Sequence, residues 1–144
     1  MEHIVIIGGG FGGLSFLKKA RKSNNKFTLI DKTNHHLFQP LLYQVATAVL
    51  SPADITVPIR NLFKDDKNVT IKLGEVVDIR KDSKKVILQN GEEIDYDKLL
   101  ISTGASYSYF GNNHWSSYSN GLKNLNDALL TSIAGISAAM KNTG

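Results

Sequence analysis

Ile4-Val5-Ile6-Ile7-Gly8-Gly9-Gly10-Phe11-Gly12-Gly13 is the stretch on which the fold turns. Residues 4–7 form an unbroken β-branched run, the pattern of a short strand covered on both faces. Glycines at 8, 10 and 13 then spell G-x-G-x-x-G. Gly8 permits a sharp exit from the strand. Gly10 removes the Cβ from a place where a diphosphate must approach backbone, and Gly13 lets the next helix lie close to the sheet. The start of that helix presents unpaired N–H groups and a partial positive charge to phosphates. A lone glycine pattern is weak evidence, and here its setting strengthens it. A helix follows, then a second buried strand at Phe27–Ile30, and that strand closes on Asp31. An acid at this place accepts hydrogen bonds from ribose hydroxyls and repels a 2′-phosphate. The pattern predicts a dinucleotide site but does not separate FAD from NAD.

Working outward, the first helix is expected from Gly12 to Lys22, with Leu14 and Leu17 inside and Lys18 outside, ended by Ser23-Asn24-Asn25. Strand, helix and strand make a βαβ unit with a right-handed crossover. Pro40 interrupts an apolar run, which predicts a loop at His35–Pro40 and a helix over Leu41–Val49. Ser51-Pro52-Ala53-Asp54 reads as a capped helix start, and Pro58–Leu62 as another short helix. From Asn68 the period changes. Strands are expected at Val69–Leu73, Glu75–Arg80, Lys84–Gln89 and Glu93–Tyr96, with Asn90-Gly91 as a hairpin turn. Leu99–Ile101 reads as one more buried strand, followed by Thr103-Gly104. Residues 105–121 look irregular, and Leu125–Met140 helical, with Leu125, Leu129, Ile133, Ile136 and Met140 on one face. The fold class is therefore α/β, a parallel Rossmann-like sheet with an antiparallel β meander.

The 144 residues suit one ordinary domain, and 42% apolar with 21% charged residues implies a globular chain. The net charge is +4, much of it from Lys18, Lys19, Arg21, Lys22 and Lys26. We read that cluster as a solvated helix face, not a nucleic-acid surface. Cysteine is absent, which excludes disulfides, thiolate metal sites and a thiol redox relay. Met1–Ile7 runs directly into a strand pattern, leaving no signal peptide, and no apolar stretch approaches the ~20 residues of a membrane span. His35 and His36 are read as structural, because no further ligands cluster with them and metal sites need about three or four. His3 and His114 carry no signal. Trp115, Tyr107, Tyr109 and Tyr118 are read as surface packing instead of ligand stacking.

Three ordered segments carry a family likeness. Asn34-His35-His36-Leu37-Phe38-Gln39-Pro40-Leu41-Leu42-Tyr43-Gln44-Val45-Ala46-Thr47 is the first. Ser51-Pro52-Ala53-Asp54-Ile55 with Pro58-Ile59-Arg60 is the second, and Leu100-Ile101-Ser102-Thr103-Gly104-Ala105-Ser106-Tyr107-Ser108-Tyr109-Phe110-Gly111 the third. Together they resemble type II NADH dehydrogenases, the single-subunit, non-proton-pumping NADH:quinone oxidoreductases. The resemblance implies an FAD-binding domain of the two-dinucleotide flavoprotein kind. Residue by residue, it implies Gly8, Gly10, Phe11, Gly12 and Gly13 at the pyrophosphate, and Asp31 and Lys32 at the adenosine ribose. It also implies Gln39, Pro40 and Leu41 beside the isoalloxazine, Val77 at adenine, and Thr103 and Gly104 as a second FAD contact. An apolar loop such as Leu37–Tyr43 gains about 1.5–3 kcal/mol for each large side chain it covers, and a flat flavin is a suitable cover.

The likeness spans residues 1–123, taken as a partial FAD-binding domain, while 124–144 is taken as a helix that departs from the family. Its stretch Ala128–Met140 has no charged residue. Three readings of that uncharged helix stay open: it covers exposed surface, it mediates self-association or pairing with a partner chain, or it comes from a shifted reading frame. The family's later glycine motif for NADH, its Gly-Asp segment, its quinone site and its membrane-anchoring end have no counterpart. The resemblance thus implies part of an enzyme in which NADH reduces FAD and FAD reduces quinone, peripheral on the cytoplasmic side of the membrane. No catalytic or metal residue is assigned, and the isolated chain is expected to be soluble and inactive. The competing reading is a truncated, non-catalytic nucleotide-binding module. Sulfide:quinone and pyridine-nucleotide disulfide oxidoreductases are set aside for lack of cysteines. A short Rossmann dehydrogenase is set aside because strands crowd Asn68–Tyr96.

Overall fold

The computed structural model describes residues 1–119 and 121–141, without the side chains of residues 136 and 138–141. In chain order it contains β1 (His3–Ile7), α1 (Phe11–Ala20), β2 (Lys26–Asp31), β3 (His35–Leu37) and a 3-10 turn at Gln39–Leu41. Next come α2 (Leu42–Ala46), a second 3-10 turn (Pro52–Ile55), β4 (Thr56–Pro58) and α3 (Ile59–Leu62). The strands β5 (Val69–Leu73), β6 (Val76–Arg80), β7 (Lys85–Leu88), β8 (Glu93–Asp95) and β9 (Lys98–Ile101) follow. A 3-10 turn at Asn113–Ser117 and α4 (Leu125–Lys141) complete the described chain.

Two compact units emerge. The first comprises Met1–His36 with Pro58–Gly104, and the second Leu37–Val57 with Ala105–Gly144. These units divide the chain at other places than the 123/124 boundary drawn from family likeness. In the first unit, β5-β2-β1-β9 form a four-stranded sheet, parallel throughout. The strands β6-β7-β8 form an antiparallel meander.

The unbroken apolar run of β1 is explained by what covers its two faces. Side chains alternate along a strand. Ile4 and Ile6 join Leu14 and Leu17 of α1, Phe27 and Leu29 of β2, and Ile59 and Phe63 in one core. Val5 and Ile7 join Ile30 of β2 with Val86 and Leu88 of the meander in another. Both faces of the central strands β1 and β2 are thus dry, as expected for the middle of a parallel sheet. In the second unit Leu42, Val45, Ile55 and Ala128 make a small core, backed by Leu125.

Several expectations need correction. The segment His35–Leu37 is a short strand where a loop was expected, and Pro40 opens a 3-10 turn instead of preceding a long helix. The expected helix Leu41–Val49 shrinks to Leu42–Ala46. Its end has a local cause. The Thr47 hydroxyl donates back to the Tyr43 carbonyl, Ala48 sits at φ +57°, and the N–H groups of Val49 and Leu50 both fold back onto the Gln44 carbonyl. The first helix stops at Ala20 because Asn68 Nδ2 donates to the carbonyls of Arg21, Ser23 and Asn25 and holds the chain in a turn. The capped start at Ser51 is present, with the Asp54 carboxylate accepting from both the Ser51 N–H and the Ser51 hydroxyl.

In α4 the expected face divides, with Leu125 packed on the small core and Leu129 and Ile133 exposed. Ala128 is wholly buried while Leu129, Leu130 and Ile133 are exposed. Close helix approach to α2 selects the small residue at 128, while Leu125 of the expected face also packs on that core. The side chains of Ile136 and Met140, also assigned to that face, lie outside the described residues. Among the described residues no helix is long and apolar enough to cross a membrane.

Candidate functional site

The glycine turn lies where β1 hands over to α1, and its three motif glycines meet different surroundings. Gly8 adopts φ +103°, and a Cβ there would strike the Ser102 carbonyl at the end of β9. A Cβ at Gly13 would strike the Gly8 carbonyl and lie 2.8 Å from Ser102 Oγ. Both glycines are therefore demanded by packing. Gly10 is otherwise: a Cβ there would meet nothing within 4 Å. The one motif glycine that the protein's own packing does not need faces open space, as a cradle for a ligand would.

Ser102 contributes to the turn without a signal of its own in the sequence. Its N–H and hydroxyl both donate to the Ile7 carbonyl, at 2.8 and 2.9 Å, and the hydroxyl also reaches the Gly8 carbonyl at 3.1 Å. It ties the exit of β1 to the end of β9. Only the parallel pairing of β1 with β9 reveals this, and no local pattern in the sequence does.

Asp31 ends β2 at the same edge of the sheet. Its Oδ2 accepts from the Gly9 N–H, and its Oδ1 accepts from the Thr33 N–H and hydroxyl, each at 2.7 Å. A carboxylate offers about four lone-pair positions, so roughly one remains for a ligand hydroxyl. His36 completes the bracket: its Nδ1 lies 3.1 Å from the Gly9 carbonyl, and its ring meets the Phe11 ring edge-on with centroids 4.9 Å apart.

Beside this turn opens a groove of ≈ 200 Å³, lined among others by Gly8, Asp31, Lys32, Glu75, Val76 and Thr103. That volume is below the ~300–1,000 Å³ of a drug-sized pocket, so it suits a nucleoside portion and not a whole dinucleotide. One wall is made by the C-terminal ends of parallel strands, where ligands of open α/β sheets bind, and the other by the chain entering the meander at residues 74–76.

The structure thus gathers Gly8, Gly10, Phe11, Gly12, Gly13, Asp31, Lys32, Thr103 and Gly104 in the first unit, around the ends of β1, β2 and β9. Val77 stands beside the groove wall, with its side chain 57% exposed, while Gly74, Glu75 and Val76 line it. Gln39, Pro40 and Leu41 belong to the second unit. There the Gln39 side-chain amide donates to the Lys123 carbonyl at 2.7 Å. Among the described residues no group of three or more His, Cys, Asp or Glu could hold a metal ion.

A network in the second unit fixes the start of α4. The Asp127 carboxylate accepts from the N–H groups of Lys123 and Asn124 and from the Tyr107 hydroxyl, while Asn124 Oδ1 accepts from the Asp127 N–H. Desolvation alone would raise the Asp127 pKa, but these donors hold it below the usual carboxylate value. Tyr107 is pushed up to about 12, first by desolvation and then by its bond to that carboxylate.

Comparison with known proteins places this geometry. A family model described as "Pyridine nucleotide-disulphide oxidoreductase" matches residues 2–138. A type II NADH:quinone oxidoreductase of Mycobacterium tuberculosis is 43% identical over 131 residues, covering 89% of this chain and 28% of that protein. The chain thus spans little more than a quarter of that relative's length. Among solved structures, NDH2 of Plasmodium falciparum superposes with TM-score 0.85 at 29% identity, over 99% of this chain and 30% of that one. The sulfide:quinone oxidoreductase of Aquifex aeolicus superposes with TM-score 0.88 at 28% identity, over 97% of this chain and 33% of that one.

Proposed function

We propose, since the chain belongs to the pyridine nucleotide-disulphide oxidoreductase family, that it is the FAD-binding part of a type II NADH:quinone oxidoreductase. Membership corrects one inference from composition. The lack of cysteine excludes thiol chemistry within this chain, and does not exclude the family. The backbone likeness is as good to a sulfide:quinone oxidoreductase as to an NADH dehydrogenase, so fold does not choose the substrate. The 43% identity to a type II enzyme favours NADH and quinone.

The observation that carries the proposal is the open space at Gly10, set between a helix start and the Asp31 carboxylate. In this reading α1 receives the diphosphate on its unpaired N–H groups. Asp31 and Lys32 receive the adenosine ribose, and the groove walled by Glu75 and Val76, next to Val77, takes the adenine. Thr103 and Gly104 contact the cofactor at the end of β9. Gln39, Pro40 and Leu41 are read as the wall beside the flavin. Bound FAD would supply the acceptance of a hydride from NADH and the passage of electrons to quinone. The protein's part is to bind, orient and screen the cofactor, so no acid or base is assigned among its residues. The chain covers a fraction of its relatives, and we expect turnover only with the remaining parts, peripheral on the cytoplasmic side of the membrane.

The test is direct. The purified chain mixed with FAD and freed of excess should keep a flavin absorption band, while Gly10→Arg should emerge colourless yet folded. A colourless wild type would end the proposal, as would a yellow Gly10→Arg. The flavin-loaded chain should oxidise NADH no faster than free FAD does.

A further inference from the structure

Gly9 is held through both of its backbone polar groups, which belong to successive peptide units, and the second hold comes from a residue with no assigned role. Its N–H donates to Asp31 Oδ2, and its carbonyl lies 3.1 Å from His36 Nδ1. A carbonyl has no hydrogen to give, so the imidazole must carry its proton on Nδ1. The ring is braced in that orientation by its edge-on contact with Phe11, at an interplanar angle of 86°.

The consequence follows from peptide geometry. No peptide bond in the described chain is cis. The bond joining Gly9 to Gly10 is therefore planar and trans, and its C=O and N–H point in opposite directions. Holding the Gly9 oxygen on the imidazole turns the Gly10 N–H away from His36. Gly10 is also the position where an added Cβ meets nothing within 4 Å. A Gly-rich turn is soft, since glycine visits both halves of φ space almost equally. Without an external restraint this peptide is free to flip and present its carbonyl where a phosphate must come.

We propose that His36 is a positioning residue of the nucleotide site: by donating from Nδ1 to the Gly9 carbonyl, it aims the Gly10 N–H at the diphosphate of an adenine dinucleotide. The inference rests on the nucleotide reading given above and assigns His36 a task within it. His36 touches the loop and not the reacting atoms, so its contribution lies in binding.

The experiment uses the full chain with three probes, FAD, ADP and adenosine, and measures their dissociation constants by calorimetry. Asn carries an amide N–H close to the position of Nδ1, whereas the longer Gln carries it nearer the position of Nε2. His36→Asn should keep FAD and ADP affinity within about threefold of wild type, while His36→Gln should lose about tenfold, the worth of one well-placed hydrogen bond. Adenosine, which has no phosphate, should bind all three proteins equally. A merely structural histidine would lower adenosine binding together with ADP, and that outcome overturns the proposal. So does a His36→Gln protein that holds ADP as the wild type does. A wild type that binds neither FAD nor ADP would overturn the nucleotide reading itself, and this inference with it.

Discussion

Gly10→Ala and Gly13→Ala add the same methyl group three residues apart, and the structure predicts opposite failures. At Gly13 the new Cβ collides with the Gly8 carbonyl and crowds Ser102 Oγ. Neither neighbour can yield easily, because Ser102 is bonded to the Ile7 and Gly8 carbonyls and β1 is locked between β2 and β9. Overpacking costs about 1–3 kcal/mol, and a rigid backbone neighbour puts this case at the upper end. Replacing a helical glycine returns about 1 kcal/mol. The net loss is about 1–2 kcal/mol, a fall of roughly 3–8 °C in Tm for a chain of this size. Gly10 has φ −76° and ψ −168°, which any L residue adopts. There the gain from a stiffer unfolded chain, about 0.4–1 kcal/mol, offsets the loss of a favourable N-cap residue, so Tm should hold. On the proposed function the methyl group enters the space assigned to the phosphate instead, and FAD affinity should drop about tenfold or more, equivalent to at least one lost phosphate hydrogen bond. Thermal unfolding by circular dichroism, run with and without FAD, reads both effects at once. A Gly13→Ala protein as stable as wild type, or a Gly10→Ala protein with undiminished FAD affinity, would refute this division of labour.

Three further outcomes are expected. Asn68→Ala should lose about 1–2 kcal/mol, since its amide serves three carbonyls, and Asn68→Asp should lose more by setting a carboxylate against them; denaturant melts give the order. Tyr107, raised to about 12, favours its protonated form when folded, so its contribution is complete below pH 10 and is lost as pH climbs toward 12. In a tyrosinate absorbance titration one of the five tyrosines should ionise late, and Tyr107→Phe should erase that step. His3 is lowered by burial and by Lys26, so the unfolded chain takes up its proton first and stability drops as pH falls below 6.5. The difference in Tm between pH 7.5 and 5.5 should accordingly be smaller in His3→Gln than in wild type.

The parts of the fold that the sequence discloses are those with one physical cause. β1 and β2 are buried runs covered on both sides, β5 is an edge strand of alternating character, and each lies within a residue of its expected place. Asn90-Gly91 turns the hairpin between β7 and β8, with Gly91 at φ +83°. The misjudged parts depend on partners distant in sequence. β3 at His35–Leu37 has too few residues to show a period. In α4 apolar residues occupy more than one side, and the choice of Ala128 over Leu129 follows from the approach of α2. The candidate site divides the same way. Gly8, Gly10, Gly13 and Asp31 are legible because their spacing reflects one βαβ unit. Ser102 and His36 act on that loop across separations that no local pattern records.

A glycine motif therefore carries two kinds of information, and only one concerns a ligand. Gly8 and Gly13 are required by contacts among β1, α1 and Ser102, which exist whether or not a nucleotide ever binds. A chain that bound no cofactor would still lose stability on replacing either one. Gly10 is under no such demand, because the space beside it belongs to no other residue. A glycine standing where packing would accept alanine, next to a Gly9 whose N–H is held by Asp31 and whose carbonyl is held by His36, is the part of the pattern that speaks for a bound diphosphate. The case for function thus depends on Gly10 and its two supports more than on the motif as a whole, and these are the positions where substitution should separate binding from folding.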